Sequence, residues 1–128
     1  MRSSELYSIL SDSKKGSQLK QAIAAAIPDF KRGLAELGRS APIRIETEGR
    51  DFLIEEIHLS NLCLWFTQRQ IDEIEFEYIA SALGICSDFT FSNKEVGELV
   101  TSLSDFANDS KDIGRKIKRI IQSRKSAG

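Results

Sequence analysis

One histidine, two cysteines and a surplus of carboxylates are the residues of this sequence that could do chemistry. His58 lies in an apolar run beside Glu55 and Glu56, and imidazole is the side chain best suited to moving protons near neutral pH. Nucleophilic catalysis would need Cys63 or a serine held against that ring. Cys63 follows five residues later, a spacing that misses a shared helical face and falls on opposite faces of a strand. A partly buried or hydrogen-bonded histidine is therefore the expectation. Cys86 has no cation close by and reads as a small core residue. Two cysteines 23 residues apart and one histidine do not assemble a four-ligand zinc site. The segment DFTFSNKE lacks the alternating oxygen ligands and central glycine of a calcium loop. The eight glycines are scattered and form no phosphate-binding loop. No metal, cofactor or catalytic residue is expected.

The carboxylates fall into two groups. Glu46, Glu48, Asp51, Glu55 and Glu56 form the first. Asp72, Glu73, Glu75 and Glu77 form the second, around a stripe that holds Ile71, Ile74 and Tyr78. On a helix, Asp72 and Glu75, or Glu73 and Glu77, are neighbours whose repulsion costs a few tenths of a kcal/mol, about 0.2–0.5. Paired carboxylates suit general acid–base work, but nothing near them in the sequence adds a second catalytic type. A solvated face or a face for a partner is the alternative.

Charge along the chain favours asking about a partner. Residues 1–41 carry seven basic and four acidic side chains, +3; residues 42–110 carry four and fourteen, −10; residues 111–128 carry seven and one, +6. The net charge of −1 conceals this segregation. Either the basic ends fold back on the acidic middle, or the middle offers its field to a basic partner, and both can hold. Such a field speeds encounter and selects partners more than it adds affinity. The tail, with Lys116, Lys118, Arg119 and Arg124, suggests phosphate tracking as a second possibility. No aromatic residue is interleaved there for base stacking.

These side chains must be positioned by a small scaffold. The chain has 128 residues, 41% hydrophobic and 29% charged, enough for one core and one domain. No apolar run approaches the roughly 20 residues of a membrane span. The opening MRSSELYSIL does not read as a secretory signal. Two unpaired-looking cysteines suit a reducing, cytoplasmic setting. A short helix is expected over 4–12, interrupted at Gly16. Residues 17–38 read as two short helices divided at Pro28, with Gly38 as a C-cap. Ile43, Ile45 and Thr47 alternate with Arg44, Glu46 and Glu48 as in a strand, and Gly49 marks a turn. Residues 52–66 fit either a strand with Phe52 and Ile54 on one face or a buried helix through Leu53, Ile57, Leu64 and Trp65. A short strand or hairpin followed by helix is the arrangement expected.

Thr67–Gln70 and Ser92–Glu95 each match a capping box, opening helices that end near Gly84 and Leu103. Phe89 and Phe91, in the connection ICSDFTF, are expected to plug the core. A basic amphipathic helix follows over about 112–124. The fold class is mainly α, a single-domain helical bundle with a small β element near residues 42–58.

The segment EFEYIASALGICSDFTFSNKEVGELVTSLSD resembles, in general layout, small bacterial immunity proteins of the contact-dependent growth-inhibition kind. Glu75, Glu77, Tyr78, Ile79 and Ala80 on an acidic helix, the connection Asp88-Phe89-Thr90-Phe91, and a capped helix around Glu95 and Glu98 carry the likeness. It covers about thirty residues. It implies a non-enzymatic cytoplasmic protein that binds a cognate toxin domain and blocks it. Such toxins are commonly nucleases with basic clefts, which an acidic face would fit. The expected interface is Glu46, Glu48, Asp51, Glu55, Glu56, Asp72, Glu73, Glu75, Glu77 and Tyr78, with the basic tail as a nucleic-acid-binding alternative.

Overall fold

The computed structural model describes residues 1–37, 43–104, 115, 118–120 and 122. Helices α1 (Ser3–Leu10), α2 (Gly16–Ile23) and α3 (Ile27–Leu37) are followed by strand β1 (Phe52–Ile54). Next come α4 (Glu56–Thr67), α5 (Glu73–Ile85), strand β2 (Phe89–Phe91) and α6 (Lys94–Leu103). Residues 115, 118–120 and 122 are also helical. The mainly helical class with a small β element is observed. The expected bounds 112–124 of the last helix, and the Gly38 cap, lie outside the described residues.

The first three helices follow their apolar spacing. Leu6, Ile9 and Leu10 of α1, Leu19 and Ile23 of α2, and Phe30 of α3 are buried. Pro28 stands in the first turn of α3, where its missing N–H costs nothing. Gly16 does more than interrupt. It opens α2, and a Cβ there would lie 2.8 Å from Cδ1 of Trp65, whose indole is fully buried and donates to the Ser13 carbonyl at 2.9 Å.

Helices α4 and α5 form the centre, and both are apolar around most of their circumference, as buried helices are. Trp65, Phe76, Leu59, Leu62 and Ile79 have no measurable exposure. Helix α6 packs against α5 through Val96, Val100 and Leu103, and Ile120 closes the same cluster.

Four expectations are corrected. Residues 43–47 form no strand; only Glu46 makes a bridge, parallel to Arg2. The sheet instead joins β1 to β2 in parallel, with Phe52 opposite Phe89 and Ile54 opposite Phe91. Parallel strands need a long crossover, supplied here by α4 and α5, so a partner more than thirty residues away was invisible to local periodicity. Thr67 does not open a helix. It ends α4, its hydroxyl donating to the Cys63 carbonyl at 2.8 Å, and Arg69 turns the chain with φ 61°. The capping box is Asp72 with Glu75, each side chain accepting the other's backbone N–H at 2.8 Å. Helix α6 is capped by Asn93, one residue later than expected, through the Val96 amide at 2.9 Å. Of the two arrangements open for residues 52–66, the expected short strand followed by helix is the one formed; Leu53 and Ile57, which one continuous buried helix would have placed inside, are 43% and 42% exposed. The chain changes from strand to helix between them, so they never share that face. Gly84 lies inside α5, and the C-cap is Cys86.

Candidate functional site

Asp88 organises the acidic segment that begins at Glu46. It stands just ahead of β2 and is buried, with Oδ2 accepting from the Ser3 hydroxyl at 2.6 Å and from the Glu48 amide at 2.6 Å. The amides of Arg50 and Gly49 also turn toward it. The Ser3 hydroxyl, then the Glu48 amide, hold its carboxyl below the usual aspartate range. Gly49 adopts φ +66°, the left-handed conformation that lets the chain wrap this carboxylate. Glu48 in turn accepts from the Ser4 amide at 2.8 Å and approaches the Ser3 hydroxyl at 3.3 Å. Those bonds from Ser4 lead the causes that lower its pKa. A carboxylate at the start of α1 satisfies an open amide and complements the helix dipole. The Ser3 amide donating to Glu46 O at 3.0 Å, and Glu46 N to Met1 O at 2.8 Å, complete the clamp.

The segment so held displays its charge. Glu46, Glu48, Asp51, Glu55 and Glu56 are all exposed, and none forms an ion pair with another described residue. Asp51 accepts from Thr90 of β2 at 2.9 Å. Arg50 is the one cation between Glu46 and Glu56, and its guanidinium lies 5.1 Å over the Phe52 ring. The exposed Leu53 and Ile57 alternate with these carboxylates along the chain. A groove of about 550 Å³ opens beside Glu56, with Glu95, Glu98 and Arg119 on its walls and Val96, Leu99 and Ile120 among its lining.

The second acidic group is placed differently. Asp72 and Glu73 are exposed, but Glu75, Glu77 and Tyr78 are buried. This corrects their expected place on an open face, because α5 is the central helix and its neighbours cover it. Glu75 accepts from Lys20 Nζ at 2.8 Å, and that hydrogen bond raises the Lys20 pKa. The Tyr78 hydroxyl accepts from the Arg44 amide at 3.0 Å, and its ring meets Phe30 edge-on. Burial pushes its phenol pKa up. The basic N-terminal region thus folds back on both groups, through Lys20 onto Glu75 and through the start of α1 onto Glu48, but it leaves the first group exposed and without an ion pair among the described residues.

A serine does stand against His58. Ser11 Oγ is 3.2 Å from Nε2, a contact that pairs α1 with α4 across 47 residues and has no local signature. The tautomer argues against base catalysis. The Glu55 backbone N–H, which can only donate, points at Nδ1 at 2.9 Å. The ring proton is then on Nε2 and donates to Ser11 Oγ, whose own hydrogen goes to the Tyr7 carbonyl at 2.8 Å. No lone pair faces the hydroxyl. Burial lowers the His58 pKa and raises the Cys63 thiol to about 12, so neither is primed for charge. Among the described residues no group of three or more His, Cys, Asp or Glu side chains is placed to hold a metal ion, and no helix is long and apolar enough to cross a membrane.

Sequence reasoning named Asp88 without giving it a site role and passed over Ser11 and Lys20. Each acts through a partner 40 to 85 residues away, and only a fold supplies such pairings. Comparison with family models, with curated proteins and with solved structures found no match.

Proposed function

We propose that this chain is a non-enzymatic binding domain that docks a basic protein through the segment Glu46–Ile57. In this proposal it is an immunity protein that occupies the basic cleft of a cognate toxin, a nuclease by the chemistry of such clefts. The observation that carries the reading is the contrast between the two acidic groups. Glu75 is neutralised inside the fold, whereas five carboxylates from Glu46 to Glu56 are exposed, unpaired among the described residues and interrupted by one cation. Asp88 and the start of α1 hold part of that charge in a fixed shape, which reduces the ordering cost of binding. Leu53 and Ile57 supply apolar contact area between the charges, the composition of a binding patch with a polar rim. Arg119 lines the same groove as Glu95 and Glu98 beside Glu56.

The test is to isolate the complex from cells that encode the partner and to measure three things. These are 1:1 stoichiometry, weakening with salt, and loss of the partner's nucleic-acid cleavage on binding. The variant pair Glu46→Lys and Glu56→Lys should dissociate the complex while the fold persists. Unchanged affinity in that variant would assign the interface elsewhere.

A further inference from the structure

We infer that His58 is a proton-operated latch that fastens the first turn of α4, with its Glu55, Glu56 and Ile57, to α1. Helix α4 begins with an unusual cap. The residue reaching back to the N-cap amide in a capping box is ordinarily Glu or Gln; here it is the imidazole of His58, whose Nδ1 accepts the Glu55 N–H at 2.9 Å. The other nitrogen crosses to α1 and meets Ser11 Oγ at 3.2 Å. The ring also lies 4.9 Å from that of Tyr7, which stacks on Phe52 at the same separation. One neutral imidazole therefore ties the start of α4 to α1, Tyr7 carries the stack on to β1, and His58 is 4% exposed.

Protonation breaks this arrangement at a specific atom. Imidazolium carries hydrogens on both nitrogens, so Nδ1–H would face the Glu55 N–H donor to donor. The cap bond is lost, and the ring must turn out of its slot or the helix start must move. The surroundings offset the charge poorly. Tyr7 and Ser11 of α1 are neutral, Phe52 of β1 presents a ring with Arg50 over it, and among the described residues the Glu55 carboxylate is the one anion that acts on His58. Burial outweighs that anion and holds the ring neutral below its ordinary pKa of 6.5. The latch is closed at neutral pH and opens on acidification. Its consequence for binding rests on the proposed acidic face: as Glu55, Glu56 and Ile57 lose their fixed position, a basic partner is held less well.

The test follows the ring and the amides of the whole chain by NMR between pH 7.5 and 5, beside His58→Gln. Glutamine keeps the cap, since its carbonyl accepts the same N–H and it does not titrate. The expected result is a His58 midpoint below 6.5, with the Glu55 and Ile57 amides shifting in step and exchanging faster at pH 5.5. In the variant those amides should stay fixed over the same range. A midpoint at or above 6.5, or amides that move equally in both proteins, would overturn the latch. Labelled oligolysine, read by fluorescence anisotropy, separates the two proposals. Wild type should release it several-fold more than His58→Gln between pH 7.5 and 5.5, and equal release would overturn the coupling. No binding at pH 7.5 would overturn the acidic face and, with it, the consequence for binding; the latch itself is decided by the ring and amides.

Discussion

Replacing Gly16 by alanine and Gly84 by alanine should move stability in opposite directions. Both glycines are helical, at the start of α2 and near the end of α5, so propensity alone predicts a gain of up to about 1 kcal/mol at each. At Gly16 the new methyl would lie 2.8 Å from Cδ1 and 2.9 Å from Cγ of Trp65. It would also press on the Gln70 amide oxygen, a flexible end that can swing away. The indole cannot, because it is fully buried and tied to the Ser13 carbonyl. Forcing a methyl into such a contact costs about 1–3 kcal/mol, and the propensity gain is smallest at a first helical position. The net expectation is a loss of about 1–2 kcal/mol. In a domain of this size each kcal/mol corresponds to about 3–5 °C in Tm. At Gly84 the methyl would meet only Val100 Cγ1 at 3.8 Å, an ordinary contact, so about 0.5–1 kcal/mol of stabilisation should survive. Trp65 is the sole tryptophan, so urea unfolding followed by its emission reads both variants and reports its packing. A Gly16→Ala protein as stable as the parent, with unchanged emission, would refute the idea that α2 starts at glycine to admit the indole.

Other outcomes follow from the same geometry. Glu46→Lys with Glu56→Lys should weaken binding of the basic partner at least tenfold at low salt, with a smaller effect at high salt, by surface plasmon resonance across a salt series. Because the Asp88 and Glu48 pKa values are lowered, their stabilisation is present above the ordinary values of 3.8 and 4.5 and is lost as pH falls through the lowered ones. Urea midpoints of Asp88→Asn should be reduced at neutral pH but decline less than wild type below pH 4; parallel declines would deny Asp88 that role. Cys63, held as a thiol by a pKa of about 12, should resist alkylation at pH 8 in the folded protein and react in urea, as mass spectrometry would show. Glu75→Gln removes the charge that pairs with Lys20 while keeping a capping side chain. It should lower Tm slightly and abolish any benefit from low salt at that pair.

The structure also explains why the two acidic groups, so alike in sequence, carry different weight. Both contain closely spaced carboxylates around apolar residues. Asp72–Glu77 begins a helix that the fold covers with α3, α4 and α6 and pairs with Lys20 of α2, so its inner members are capped, paired and buried. Glu46–Glu56 runs along an edge that ends in a three-residue strand, and the amides of its turn are spent on a carboxylate from elsewhere in the chain. Charge density alone does not distinguish the two. What covers each one does.

By itself the sequence determined the local elements whose causes lie within a turn or two. The apolar spacing in α1 to α3, Pro28 in a first turn, the turn at Gly49 and the inward stripe of Val96, Val100 and Leu103 all depend on neighbours three or four residues away. The mainly helical class follows from the same short-range preferences. It also located the acidic middle, since charge needs no fold to be counted. Only tertiary structure decided which strand pairs with which, because β1 meets β2 across 37 positions. Only it decided that Tyr78 is core and Ile57 surface, that Ser11 faces His58 and that Asp88 shapes the 46–51 loop. Each of those is a contact between residues far apart along the chain. Local propensity is indifferent to such contacts, and burial and hydrogen-bond satisfaction in the closed core select them.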